Sequence, residues 1–315
     1  MRSRISHVAA VVAMLVGVLS CSSSAASEHD QHAQTVRTQA TISRQAPAGD
    51  DPTVQISGGV IAGTLYVLAG PNVAKEDLYK VSGTFSDAQR ITYSAEAGFD
   101  DIFGAYGHVI LTDGRDVSGR IRLLLTDTNP IQLGPILETY GYSPSLGPGN
   151  RFSYAAHVNS EDTVFEATLG HPGSRAVLRS HSTAESSAWS PNGQLAVIVG
   201  LGRSAKVVLG VGTSHARMIS PYLPGLIDMV GGGPNGLMAL QGSGAIGLLQ
   251  WNGRLRTVDT TWEPDCFSPN GSSLLVTSRD RSRLGVMSLK TGSITPVAHV
   301  RGGVFLVAAW TAPPA

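Results

Sequence analysis

The side chains of this chain best placed for chemistry are carboxylates that recur at one position. Glu138, Glu185, Asp228 and Glu263 each stand four residues before a member of the series Phe103, Tyr142, Trp189, Gly232, Phe267 and Trp310. Asp101 and Asp265 stand two residues before Phe103 and Phe267, on the same side of an alternating strand. Carboxylates repeated at one position around a circular array form a collar at the mouth of its channel. Such a collar can hold a divalent cation through oxygen ligands, or attract a basic segment of a partner. The competing reading is that each is a solvated residue at the entry to a strand, since charged side chains are mostly exposed.

Other chemical signals are weaker. Gly242-Ser243-Gly244-Ala245-Ile246-Gly247 has the spacing of a dinucleotide fingerprint, but that motif works by placing pyrophosphate on a helix N-terminus. Here the chain runs on into Leu248-Leu249-Gln250-Trp251, a strand and hairpin, so the glycines belong to a loop between strands. Glu28-His29-Asp30-Gln31-His32 lies in a polar stretch with no means of preorganising a metal cage and reads as a solvated tail. No Gly-x-Ser-x-Gly elbow, Walker loop, His-Glu-x-x-His pair or Cys-x-x-Cys pair occurs, and no catalytic residue is assigned.

The elements that position the collar are marked by turns. Trp189-Ser190-Pro191-Asn192-Gly193 recurs as Phe267-Ser268-Pro269-Asn270-Gly271, with worn copies at Phe103, Tyr142-Ser143-Pro144, Pro234-Asn235-Gly236 and Trp310. Proline presets φ for a turn corner, and Asn-Gly accepts the positive φ that joins antiparallel strands. After the two good copies come the β-branched runs 195–199 and 274–277. The landmarks lie 39, 47, 43, 35 and 43 residues apart by subtraction of their positions. Periods of this size with strand-turn content indicate a propeller. Strands are expected at 284–289 and 293–297 in one unit, and at 237–240, 246–251 and 254–258 in another, with turns at Lys290-Thr291-Gly292 and Asn252-Gly253.

An aromatic followed by Ser-Pro-Asn-Gly, a hydrophobic strand and a further strand-turn-strand resembles the TolB-type β-propeller repeat. The resemblance covers the chain from about residue 52 to the C-terminus and implies an all-β, six-bladed β-propeller of four-stranded antiparallel blades. No chain remains after Trp310 for the outer strands of a last blade, whereas 64–68, 77–81 and 88–92 precede the first complete unit. The N- and C-terminal strands are therefore expected to share one blade, which removes the open edges of an array.

Composition agrees: of 315 residues 37 are glycine and 17 proline, and the 23 basic residues balance the 23 acidic ones. A neutral chain lacks the basic field that nucleic acid requires. The N-terminus is an address. A basic head, Met1 to Arg4, precedes an apolar run from Val8 to Leu19 that is too short for an ordinary membrane span, the pattern of a secretory signal peptide over residues 1–20. Val18-Leu19-Ser20-Cys21 resembles the lipobox of bacterial lipoproteins, which implies lipid attachment at Cys21. Residues 21–51 then form a flexible polar tether. Cys266, the other cysteine, is expected to be a buried packing residue. The function these features imply is that of a lipid-anchored cell-envelope protein whose propeller binds a protein, peptide or ligand. A metal-dependent hydrolase or lyase built on the collar is the alternative.

Overall fold

The structure, a computed structural model, describes residues 54–72, 76–91, 99–105, 108–113, 122–127, 133–138, 141–169, 171, 173–200 and 203–311. The signal segment, Cys21 and the tether lie outside the described residues. The first strands in the chain are β1 (Gln55–Gly58), β2 (Val60–Gly70), β3 (Asp77–Thr84) and β4 (Gln89–Arg90). Five units follow. Blade 1 comprises β5 (Phe99–Ala105), β6 (His108–Asp113), β7 (Arg122–Asp127) and β8 (Leu133–Glu138). Blade 2 comprises β9 (Tyr142–Leu146), β10 (Arg151–Val158), β11 (Glu161–Thr168) and β12 (Ser174–Ser180). Blade 3 is β13 (Ala184–Trp189), β14 (Leu195–Val199), β15 (Lys206–Val211) and β16 (Arg217–Ile219). Blade 4 is β17 (Asp228–Val230), β18 (Met238–Gly242), β19 (Ala245–Leu249) and β20 (Leu255–Asp259). Blade 5 is β21 (Trp262–Phe267), β22 (Ser273–Ser278), β23 (Arg283–Ser288) and β24 (Ile294–Arg301), and β25 (Val304–Thr311) ends the series.

Each unit is an antiparallel sheet in chain order. The sixth blade has the order β25-β2-β3-β4, with Gly70 opposite Val304 and Thr64 opposite Thr311, so the two ends of the propeller close as one sheet. One strand was not foreseen: β1 adds to the outer edge of blade 5, pairing Gln55 with Arg301. The first strands β5, β9, β13, β17, β21 and β25 contact one another in sequence and β25 returns to β5, which closes the inner ring of a six-bladed propeller.

The second strands of blades 3 and 5 are rich in apolar residues because both faces of these blades are buried. In β14, Leu195, Val197 and Val199 pack with Ala155 and Val164 of blade 2, while Ala196 and Ile198 pack with Met238 and Leu240 of blade 4. The same split recurs in β22, where Leu274 and Val276 face blade 4 and Leu275 faces the core shared with β2 and β25. Period-two alternation survives, but it sorts residues between two neighbours rather than between core and water.

The Ser-Pro-Asn-Gly turns form as expected. Gly193 N–H bonds to Ser190 O and Gly271 N–H to Ser268 O, with both glycines at positive φ. Trp189 fills the seam between blades 2 and 3: it is 1% exposed, and its Nε1–H lies 3.2 Å from Ser145 O and 3.0 Å from Ser153 Oγ. A Cβ on Gly147 would lie 2.6 Å from the indole, so only glycine admits the ring. Phe267 meets Gly233 of blade 4 in the same way.

Blade 2 corrects the alignment of landmarks. Tyr142-Ser143-Pro144 is the start of β9 and not a turn; the turn follows Leu146, where Gly147 N–H bonds to Arg151 O as Ser190 N–H does to Gln194 O. Leu146 opposite Phe152 is thus the counterpart of Trp189 opposite Leu195. The worn copy keeps the Ser-Pro of a turn, but proline is also tolerated on an edge strand such as β9, and only hydrogen-bond register separates the two.

A second repeated contact was invisible in the sequence. Arg217 of β16 donates to Trp251 O, and Arg256 of β20 donates to Leu289 O and Lys290 O, in each case at the outer hairpin of the next blade. Arg175 of β12 likewise lies against Gly212 in the outer hairpin of blade 3. Replacing Trp189 by alanine should cost roughly 3–5 kcal/mol, because the seam cannot collapse onto so large a void. Urea unfolding should show this as a lower midpoint, and a loss below 1 kcal/mol would mean that the indole is not the filler of that seam.

Candidate binding face of the propeller

Successive antiparallel strands alternate direction, so three kinds of segment share one end of the blades: starts of first strands, turns between second and third strands, and ends of fourth strands. Asp228 is the first residue of β17 and Glu263 the second of β21, on adjacent inner strands of this face. Glu185 is the second residue of β13, at a bulge between Ala184 and Ser186. Asp101 lies within inner strand β5.

Two expectations for the collar change. Glu138 is the last residue of β8, the outer strand of blade 1, so it reaches this end of the propeller at its circumference and not at the channel. With Leu146 as the landmark of blade 2, the equivalent inner position belongs to Tyr142. Asp265 is buried, and Thr277 Oγ1 donates to it at 2.5 Å, so its carboxylate is turned into blade 5. Glu185, Asp228 and Glu263 therefore make an arc over neighbouring blades 3, 4 and 5, and Asp101 stands apart from it on inner strand β5 of blade 1.

The arc is electrostatically strained at Asp228. Burial raises its carboxyl above the ordinary value of 3.8 and the negative charge of Glu263 adds to the rise, while hydrogen bonds from Ser186 and from Met229 N–H oppose it. The Met229 N–H lies 2.7 Å from Asp228 Oδ1, and Ser186 Oγ donates to Met229 O at 3.0 Å, bonding inner strands of blades 3 and 4 together. Among the described residues no cation pairs with either carboxylate, and no group of three or more His, Cys, Asp or Glu side chains is arranged to hold a metal ion.

A second carboxylate on the same face has the opposite character. Asp162 of β11 is buried, which acts to raise it, yet hydrogen bonds from His157, Tyr142 and Ala184 N–H together hold it below the ordinary value, helped by the charge of His157. His157 Nδ1 lies 2.9 Å from Oδ1 and Ala184 N lies 2.9 Å from Oδ2. Asp162 thus ties β10, β9 and the entry to β13 together. Sequence reading overlooked it, although the Asn159-Ser160 turn was a usable signal: a two-residue hairpin there puts His157 opposite Asp162. Cys266 is a buried free thiol, pushed well up by burial and by neighbouring Asp265, and behaves as a packing residue.

Five four-stranded sheets and one that β1 extends to five strands, an inner ring of first strands and a shared terminal blade define a β-propeller of TolB-like fold. TolB from Acinetobacter baumannii superposes with a TM-score of 0.64 at 17% identity, over 82% of this chain and 68% of that one. A chain of the nidogen/laminin complex superposes with a TM-score of 0.61 at 12% identity, over 78% of this chain and 98% of that one. No family model matches the sequence, and no curated protein does. Among the described residues no helix is long and apolar enough to cross a membrane.

The two carboxylates should respond to acid in opposite directions. Asp162, depressed in the fold, contributes stability that is complete above 3.8 and is lost as pH falls through its folded value, so Asp162→Asn lowers the melting temperature at neutral pH and the deficit shrinks below pH 3.8. Asp228, raised in the fold, costs stability at neutral pH, and the cost disappears as pH falls from its folded value to 3.8. Asp228→Asn keeps an acceptor for Met229 N–H and should raise the melting temperature at pH 7 but not at pH 3.5. Scanning calorimetry across that range checks both signs.

Proposed function

We propose that this chain is a membrane-tethered protein of the bacterial cell envelope whose propeller is a non-catalytic binding platform, and that the arc of Asp228 and Glu263, extended by Glu185, engages a protein or peptide partner. The reading is carried by the like-charged pair: two inner strands hold Asp228 and Glu263 within electrostatic reach, and burial disfavours the charged form of one of them. An incoming basic group relieves both penalties at once, so binding is rewarded where folding is not. The closed ring supports this role, since packed blades present the arc on a scaffold that does not need to order itself on contact. The TolB-like fold is compatible with such a platform, and fold alone carries no activity.

The N-terminal sequence supplies the tether. Lipid at Cys21 would hold the propeller at a membrane surface and the polar segment up to residue 51 would set its reach. A single acyl chain anchors only marginally, so the multiple chains of a lipidated N-terminal cysteine fit stable attachment.

Two measurements test the proposal. A photo-reactive residue at exposed Thr261, between blades 4 and 5, should capture a partner in intact cells, and the adduct should be lost in the Asp228→Asn, Glu263→Gln double variant. The same adduct in equal yield from that variant would sink the arc as the contact. Cys21→Ser should move the protein from the membrane to the soluble fraction and abolish labelling with a fatty acid; a membrane-bound, unlabelled wild type would remove the lipid from the account.

A further inference from the structure

Three of the most exposed large apolar side chains, Met218, Tyr222 and Ile227, fall within one stretch that leads from the outer strand of blade 3 to the inner strand of blade 4. Tyr222 is 91% exposed and Ile227 48%. The segment that carries them is nevertheless pinned. Leu223 and Leu226 are buried in the core between blades 3 and 4. Pro224 O accepts from Ser243 N–H at 2.7 Å, and Ile227 N–H donates to Gln241 O at 3.1 Å, so the segment is stitched to the β18–β19 hairpin. A Cβ on Gly242 would lie 2.7 Å from Leu223 Cγ, which shows how closely the two meet. A rigid loop that buries two leucines and holds a tyrosine in water directly before the first of them displays that ring as a fixed surface feature.

The charges beside this apolar surface select its occupant. Asp228 follows Ile227 directly and pairs with Gln241, while exposed Asp259 pairs with Ala245 at the same end of the same sheet. Glu263 lies within electrostatic reach of Asp228. The hairpin between these strands, Ser243-Gly244, carries no charge. An anionic lipid surface would be repelled by carboxylates at both edges. A second copy docking through the same patch would bring the Asp228 and Asp259 carboxylates of both copies into one interface with no cation among the residues of the patch, because a two-fold contact uses the same surface twice.

We infer that Tyr222 and Ile227, flanked by Asp228 and Asp259, form a docking surface for an extended protein segment that presents an aliphatic or aromatic side chain close in sequence to lysine or arginine. The inference rests on the binding-platform reading and narrows its partner. The apolar residue covers Tyr222 and Ile227, and the cation reaches the carboxylates at the end of blade 4. Aromatic anchors with a neighbouring charge are the usual centres of such contacts.

The test selects a displayed library of random twelve-residue peptides on the full-length chain, with the Tyr222→Ser, Ile227→Ser variant as counter-target. Enriched peptides should combine Lys or Arg with a large apolar residue, and should bind that variant about 10-fold or more weakly, the loss expected when an interface anchor is removed. Asp228→Asn with Asp259→Asn should weaken the same peptides and flatten their salt dependence, and the variants should keep the wild-type melting profile at or above its own temperature. Equal enrichment on chain and counter-target, or enrichment of acidic peptides, overturns the inference. So does Tyr222-dependent flotation with phosphatidylglycerol vesicles, which would name a lipid surface, or Tyr222-dependent dimers in sedimentation, which would name a second copy. In any of these cases the cross-link at Thr261, read separately with Asp228 and Glu263, still decides whether the platform reading stands.

Discussion

Blades 3, 4 and 5 are covered on both faces, and that constraint governs the rest of the structure. A strand such as β14 has no solvent side, so Leu195 and Val197 serve one seam and Ala196 and Ile198 the other. Along the inner strands, hydroxyls bond across the seams: Ser186 to Met229 O, and Ser187 to Ser153 and Ser143. At the ends of the inner strands Trp189 and Phe267 fill the seams, admitted by Gly147 and Gly233. On the outer strands, Arg217 and Arg256 grip the next blade through backbone carbonyls. The blades are thus joined by different chemistry along the inner strands and at the circumference.

Closing the ring through β25 and β2 removes the inner edges that would otherwise seek partners. It also makes the blades mutually supporting, so the polar residues at the starts of the inner strands need not stabilise the fold. Carboxylates at this end of the propeller are used differently in blades 2 and 4. Asp162 is converted into a structural tie by three donors, whereas Asp228 is left facing Glu263. The same face therefore contains one carboxylate whose charge the fold favours and one whose charge it disfavours, and only the second has free energy to release to a cationic partner.

The loop from Ser220 to Ile227 follows the same logic on a larger scale. Its leucines complete the core between blades 3 and 4, and its hydrogen bonds to the β18–β19 hairpin are ordinary loop chemistry. What is not required by the fold is the placement of Tyr222 and Ile227 in water beside Asp228. Blade, arc and loop then compose one face in which rigidity comes from the seams and the proposed recognition from the few residues the seams do not use.

Local chemistry was sufficient to read most of the architecture. The Ser-Pro-Asn-Gly turns and the β-branched runs behind them specify turn and strand within a few residues each, because a turn depends on the φ preferences of its own members. The Asn159-Ser160 hairpin carried the His157–Asp162 pair in the same local form. Register in blade 2 was not local: Tyr142-Ser143-Pro144 imitates a turn, and the hydrogen bond of Gly147 to Arg151 is what moves the landmark to Leu146 and Glu138 to the circumference. Nor could spacing tell Asp265, taken up by Thr277, from Asp228, or find the grip of Arg217 on Trp251. Those depend on which residues of other strands and other blades come to lie beside them. A side chain's type is written in the chain, but its burial, its charged neighbours and its seam are properties of the assembled ring.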